Sequence, residues 1–235
     1  ARHASPGSLV VSTGRVAESN AFDLACASRV DRADIASERL RNVPGLARWA
    51  WWARRLAKEQ GSQFLWAGNL KPAGHVARSL GRRAGLPYGL LVYGLDLLLL
   101  AEQAQRSLAK RLIARRLIRD AATTVAISRW TAECFRELAH SLGFPEAPVR
   151  IVLPGVDHAR FRPGLGTSEL RARLRLGDRK WLLTVARLEP HKGIDRGLEV
   201  VEILRREGLD VGYIVAGDGP AGPALRQACE ARGLT

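Results

Sequence analysis

The sequence has no methionine, at position 1 or elsewhere, and only three cysteines in 235 residues. The missing initiator leads to the expectation of a processed form or a piece of a longer protein. Cys26, Cys134 and Cys229 lie far apart, with no second Cys and no His at metal-ligand spacing. That spacing excludes a disulfide framework and a zinc knuckle, and the three read as reduced thiols of a cytoplasmic protein. Acid is scarce beside base, with 23 Asp and Glu against 37 Lys and Arg and a net charge of +14. Lysine is scarce within the bases, at 5 residues against 32 arginines. Arg- and Ala-rich usage can mirror genome composition. A basic balance still favours anionic partners: nucleotide phosphates, anionic lipid headgroups or nucleic acid. Long apolar runs are also missing. Leu97–Ala101 is purely apolar but far too short to span a bilayer, and no signal peptide is evident. Aromatics sit inside apolar runs rather than among exposed basic residues, and no nucleic-acid motif is present, so nucleic acid is not an expected partner.

What is present is an alternation of strand and helix patterns. A chain 46% hydrophobic and 26% charged can bury a core, and its length allows one large α/β domain or two smaller ones. Leu9–Ser12 reads as a short strand, and 22–27 as a strand or a short helix. Residues 39–45 read as a loop. Helix 46–59 carries Trp49, Trp51 and Trp52, which are expected in the core. A β–α–β unit spans 64–94: strand 64–69, helix 72–84 ended by Gly85, and strand 88–94. A single long basic helix is expected over 97–119, then strand 123–127, a helix over 129–142 capped by Ser128, and strand 149–153. Residues 156–166 form a seam rich in Pro and Gly. Beyond it come a short helix 168–176, strand 181–185, helix 194–207, strand 211–216 and helix 224–232. Parallel α/β sheets are therefore expected on both sides of the seam.

The chain is organised around residues 181–195. A buried strand runs into Arg187-Leu188-Glu189-Pro190-His191-Lys192-Gly193, and a helix follows. Two cations thus stand just past a strand's carboxyl end and just before a helix's amino end, where unpaired N–H groups favour negative charge. That is chemistry for a phosphate or diphosphate; a solvated surface loop is the plainer reading. Gly217-Asp218-Gly219-Pro220 ends a later strand at the same sheet edge, either as a close approach to a ligand or as a tight turn.

Ile151-Val152-Leu153-Pro154-Gly155-Val156-Asp157 with Phe161-Arg162-Pro163, then Val185–Gly193, then Gly217–Pro220 resemble, in order, spacing and context, the retaining glycosyltransferases of family 4 (GT4 type). The likeness is specific over residues 120–235 and weaker before them. It implies the GT-B fold, two Rossmann-like domains facing across a cleft. Residues 1–157 would be the acceptor side, 158–176 a linker with a short helix, and 177–235 the start of the donor nucleotide-sugar domain. Both domains are expected to be incomplete. The resemblance implies that Arg187 and Lys192 hold the donor diphosphate, that Gly217, Asp218 and Gly219 form the nucleotide-side loop, and that Gly94, Asp96 and Gly155 line the cleft. It implies no metal and no cofactor, the nucleoside diphosphate sugar being a substrate, and no Asp-x-Asp triplet occurs.

Two departures stand out. Tyr93-Gly94 occupies the place where the family usually has His-Gly at the donor sugar; either Tyr93 takes over part of that catalytic role or activity is altered. The family's Glu-x7-Glu motif is expected to lie beyond residue 235, and Gly7 and Gly14 do not replace its amino-terminal Gly-rich loop. The function implied is transfer of a hexose to a glycan or lipid-linked acceptor hydroxyl, although the piece alone is expected to be inactive. A non-catalytic nucleotide- or phosphate-binding module is the alternative, and a basic nucleic-acid-binding protein a more distant one. The basic helix 97–119 leaves open a peripheral contact with an anionic membrane on the cytoplasmic face; packing on the sheet with a solvated outer face is the plainer reading.

Overall fold

A computed structural model describes residues 5, 7–17, 19–36 and 42–234. Contacts divide the chain into two units, Ala1–Val156 and Asp157–Thr235. The division falls one residue before the expected boundary at 157.

The first unit opens with β1 (Val10–Arg15), α1 (Asn20–Ala25) and β2 (Arg29–Ala36), and the two strands pair in parallel. Of the segment 22–27, residues 22–25 are helical and Cys26 is already extended. Strand β2 was not expected, because four of its eight residues are charged. Ala33 and Ile35, two positions apart and so on one face of the strand, are nevertheless buried. Arg32 is matched by groups outside the strand: its Nε donates to Asp23 at 2.6 Å and its Nη1 to the Gly14 carbonyl at 2.9 Å. Helix α2 (Val43–Glu59) starts three residues earlier than expected because Asn42 caps it, its Oδ1 accepting from Gly45 N at 2.8 Å. Of its tryptophans Trp49 is buried, donating Nε1 to Ser12 Oγ at 3.0 Å, and the partly buried Trp52 packs against the same core. Trp51 is 62% exposed, which corrects the expectation of a wholly buried cluster.

The second sheet of this unit is β3 (Leu65–Ala67), β4 (Tyr88–Val92), β5 (Thr123–Ala126) and β6 (Val149–Ile151), all parallel and in that order. Its connections are α3 (Ala73–Ala84), α4 (Leu95–Arg106) with α5 (Leu108–Arg119), and α6 (Arg129–Ser141). The core is built on β4: Tyr88, Leu90 and Val92 meet Leu97, Leu117 and Phe135. The buried Tyr88 hydroxyl donates to the Leu117 carbonyl at 2.7 Å, and burial pushes its pKa far above the usual phenol value.

The single helix expected over 97–119 is two helices. Ser107 breaks it with extended backbone and caps α5. The apolar pattern continues through the break, but a serine that can accept from a backbone N–H competes with helix at that point.

The second unit holds α7 (Ser168–Arg173), β7 (Lys180–Val185), a 3-10 turn (Pro190–Lys192), α8 (Ile194–Arg206), β8 (Val211–Ala216) and α9 (Gly222–Ala231). Strands β7 and β8 pair in parallel from Lys180↔Val211 to Val185↔Ala216. Leu188, Ile194, Leu198, Val201 and Val211 are buried. One device recurs in both units. Trp66 of β3 lies over Gly89 of β4, and Trp181 of β7 over Gly212 of β8. A Cβ on either glycine would fall 2.4 or 2.3 Å from the indole, so each tryptophan lies flat only because its cross-strand partner has no side chain.

Candidate active site

In the second unit, β7 delivers residues 186–193 to the carboxyl edge of the sheet. Arg187 is exposed and its Nη2 lies 2.7 Å from Glu189 Oε1. The other Glu189 oxygen faces His191 Nδ1 at 3.3 Å. Lys192 is exposed, and among the described residues it has no ion-pair partner. Its amide donates to the Glu189 carbonyl at 2.9 Å, closing the 3-10 turn. Gly193 then adopts φ 66° and starts α8 without a side-chain cap. The first intrahelical bond runs from Gly197 N to Gly193 O at 3.1 Å, so the amides of the first turn keep their capacity for an anion. One loop thus carries both expected cations at the amino end of a helix.

The Gly217-Asp218-Gly219 loop is stitched to this one. Leu188 N donates to Asp218 O at 2.9 Å, and Ala221 N to Leu188 O at 2.9 Å. A Cβ at position 217 would fall 1.8 Å from the Ala186 carbonyl oxygen, and at 219 it would fall 2.6 Å from that of Leu188. The close approach that these glycines allow is therefore to the backbone on either side of Arg187. They fix the stem of that side chain. Asp218 Oδ1 accepts from Gly219 N at 2.7 Å, which holds the turn.

In the first unit, β4 ends at Val92 and presents Tyr93, Gly94 and Asp96. The Tyr93 ring is half exposed and its amide donates to Asp96 Oδ1 at 3.1 Å; the same oxygen accepts from Leu97 N at 3.0 Å. Asp96 Oδ2 is buried without a partner among the described residues. Gly94 has φ 105°, and a Cβ there would sit 2.9 Å from Trp130 Cζ3. Trp130 follows the Ser128 cap of α6, whose Oγ accepts from Thr131 N at 3.0 Å, and is 55% exposed above Gly94. Sequence reasoning did not single out Trp130; an aromatic two residues after a cap at a strand's carboxyl end was the available signal. Gly155 lies in exposed chain beyond β6, and nothing lies within 4 Å of the place its Cβ would take. Among the described residues no group of three or more His, Cys, Asp and Glu is placed to hold a metal ion, and no helix is long and apolar enough to cross a membrane.

Two units of parallel strands and covering helices, with cations at a strand-to-helix turn, define a Rossmann-like α/β protein of the GT-B kind. The Glycosyltransferase Family 4 pattern matches residues 15–160, and the chain belongs to that family. The match covers most of the first 120 residues, where the likeness was weaker, and runs on over 120–160, where it was specific. The chain is 32% identical over 173 residues to the GDP-mannose-dependent alpha-(1-6)-phosphatidylinositol monomannoside mannosyltransferase of Mycolicibacterium smegmatis, covering 71% of this chain and 42% of that protein. It is 43% identical over 67 residues to the alpha-D-kanosaminyltransferase of Streptomyces kanamyceticus, covering 28% and 17%. Among solved structures, Anabaena HepE in complex with UDP and glucose superimposes with a TM-score of 0.71 at 19% identity, over 96% of this chain and 59% of that one. The chain thus spans well under half the length of these two curated relatives.

Proposed function

We propose that this chain belongs to a retaining glycosyltransferase that moves a hexose from a nucleoside diphosphate sugar to an acceptor hydroxyl, the second unit taking the donor and the first the acceptor. The carrying observation is the loop that sets Arg187 and Lys192 at the amino end of α8. In the reaction the bond between the sugar's anomeric carbon and the diphosphate oxygen breaks. The acceptor oxygen bonds to that carbon, and the acceptor proton passes to the departing phosphate. Negative charge grows on the leaving group, and fixed cations stabilise it more in the transition state than in the ground state. Arg187 can fork across two oxygens while Lys192 acts as a point charge. With those charges in place the step needs no divalent metal.

The relatives support this reading: one is named for a GDP-mannose donor, and HepE was solved with UDP and glucose. We place the enzyme in the cytoplasm, where nucleotide sugars are met, with a glycan or lipid-linked acceptor. The test is isothermal titration of UDP and GDP into the wild type and the Arg187→Ala/Lys192→Ala double variant. A loss of at least about tenfold in affinity is expected, since two charge-assisted contacts go. Unchanged affinity in the folded double variant removes the donor assignment.

Tyr93, standing where the family has His, favours a second reading: a nucleotide-binding module without turnover. Release of nucleoside diphosphate from a nucleotide sugar by the full-length gene product separates the two.

A further inference from the structure

Trp130 meets its glycine differently from Trp66 and Trp181. At Gly89 the three nearest indole carbons lie 2.4, 2.7 and 2.9 Å from the place of a Cβ, and at Gly212 they lie at 2.3, 2.5 and 2.7 Å. Such even distances mark a ring lying flat. At Gly94 the distances are 2.9 Å to Trp130 Cζ3 but 3.7 and 3.9 Å to the carbons on either side of it. One near corner with both neighbours well behind it marks an edge. Gly94 therefore braces the rim of the indole and covers neither face. Among the described residues no aromatic ring stacks on Trp130 and no guanidinium lies over it, and 55% of the residue is exposed. Its stem is fixed by the helix start: Ser128 caps α6 on Thr131 N at 3.0 Å, and Thr131 and Ala132 are buried. Strands β4 and β5 end in register at Val92↔Ala126. Trp130 thus shares one carboxyl edge with the half-exposed Tyr93, whose amide is tied to Asp96. Arg129, next in the chain, is exposed as well.

An indole face is apolar and electron-rich, and the carboxyl edge of a parallel sheet is where such folds take ligands. A matching ligand offers a flat patch of weakly positive C–H groups, with hydroxyls around it for a phenol and a guanidinium. A pyranose has both, since the axial C–H bonds of a hexose gather on one side and its hydroxyls project around the ring. An acyl chain covers the face and leaves Tyr93 and Arg129 unanswered. A nucleobase also stacks on an aromatic side chain, but the cations suited to its attached phosphates belong to the second unit.

We propose that Trp130 is a sugar-binding residue of the acceptor side: an indole face stacks on a hexopyranose ring of the acceptor, and Tyr93 and Arg129 hydrogen-bond the hydroxyls of that ring. The acceptor class is thereby a glycan or glycolipid that presents a hexopyranose, rather than a bare lipid alcohol. The inference rests on the proposed function in giving the acceptor to the first unit; stacking itself requires no turnover and no nucleotide.

The test is titration of methyl α-D-glucopyranoside and methyl α-D-mannopyranoside into the 235-residue chain, read by saturation-transfer NMR. Binding of at least one is expected, with saturation strongest on the C–H protons of one side of the ring. Trp130→Ala is expected to weaken it at least about tenfold, the scale of tryptophan truncation at a binding surface. Trp130→Phe, which restores an aromatic face, is expected to recover part of the affinity, and Trp130→Leu, which restores only apolar bulk, is not. Circular dichroism confirms that each variant is folded. Absence of pyranoside binding by the wild type, unchanged binding by Trp130→Ala, or full recovery by Trp130→Leu overturns the proposal. So does displacement of the pyranoside by UDP-glucose but not by UDP, which would put the ring in the place of the donor's sugar. The Arg187→Ala/Lys192→Ala variant is expected to lose nucleoside diphosphate and keep the pyranoside, and Trp130→Ala the reverse, so failure of the donor assignment and failure of the stacking assignment are read separately.

Discussion

Arg187 is already paired: its Nη2 lies 2.7 Å from Glu189 Oε1, two residues along the same loop. The cation proposed to meet the donor diphosphate is thus paired with a carboxylate of its own loop. Because the Arg187 side chain is 78% exposed, the pair is weak, about 0–1 kcal/mol, and a dianion with more charge displaces the carboxylate. Glu189→Gln is thus expected to tighten binding of a nucleoside diphosphate about two- to fivefold, equivalent to about 0.5–1 kcal/mol. Titration calorimetry at constant ionic strength measures this.

Gly217→Ala is expected to destabilise the second unit with no nucleotide present, because its Cβ would fall 1.8 Å from the Ala186 carbonyl oxygen. The expected loss is about 1–3 kcal/mol or more, as for other forced overpacking. Gly155→Ala, where a Cβ meets nothing within 4 Å, is expected to leave stability unchanged. Thermal unfolding of both variants decides, and an unaffected Gly217→Ala protein would return that glycine to a role purely in ligand approach.

The pKa of His75 of α3 is lowered because the ring is partly buried and sits near Lys71 and Arg78. Its folded pKa is lowered, so between the two values the unfolded chain binds more protons than the folded one. Stability from this group is complete above about 6.5. It declines as the pH falls from there toward the folded pKa. His75→Gln is expected to flatten the dependence of Tm on pH between about 5 and 7, measured by calorimetry in a pH series.

Asp120 closes α5 and bonds Arg78 Nε at 2.8 Å and Arg119 Nε at 2.7 Å. Burial opposes its charge, but the two guanidiniums hold the carboxyl below the usual carboxylate range. A depressed carboxylate stabilises the fold above its unfolded pKa, and that stability is lost as the pH falls through the folded one. Asp120→Asn is expected to cost about 1 kcal/mol at pH 7 after allowance for solvent screening. It is also expected to lessen acid sensitivity below pH about 4. Urea unfolding at pH 7 and pH 3 tests both statements.

Local chemistry was legible from the sequence wherever a residue type forces a backbone choice. Ser128 capped its helix, Gly85 ended α3 in the left-handed region, and the strand–loop–helix around Arg187 lies where the apolar run and the glycine put it, but β7, expected to be buried, has no buried residue, and Leu183 and Val185 are exposed. The alternation that defines parallel α/β units is equally local, since periods of two and about 3.6 are written into each segment. Three features were decided only by distant partners. Strand β2 is stable despite its charges because Asp23 and the Gly14 carbonyl lie where Arg32 can reach them. Trp66 and Trp181 lie flat because a glycine occupies the facing strand position. The glycines at 217 and 219 face the backbone around Arg187, a contact between loops some 30 residues apart in the chain. The linear pattern states what a segment can become. Which neighbour fills the space left by a missing side chain, or answers a buried charge, exists only once the strands are paired.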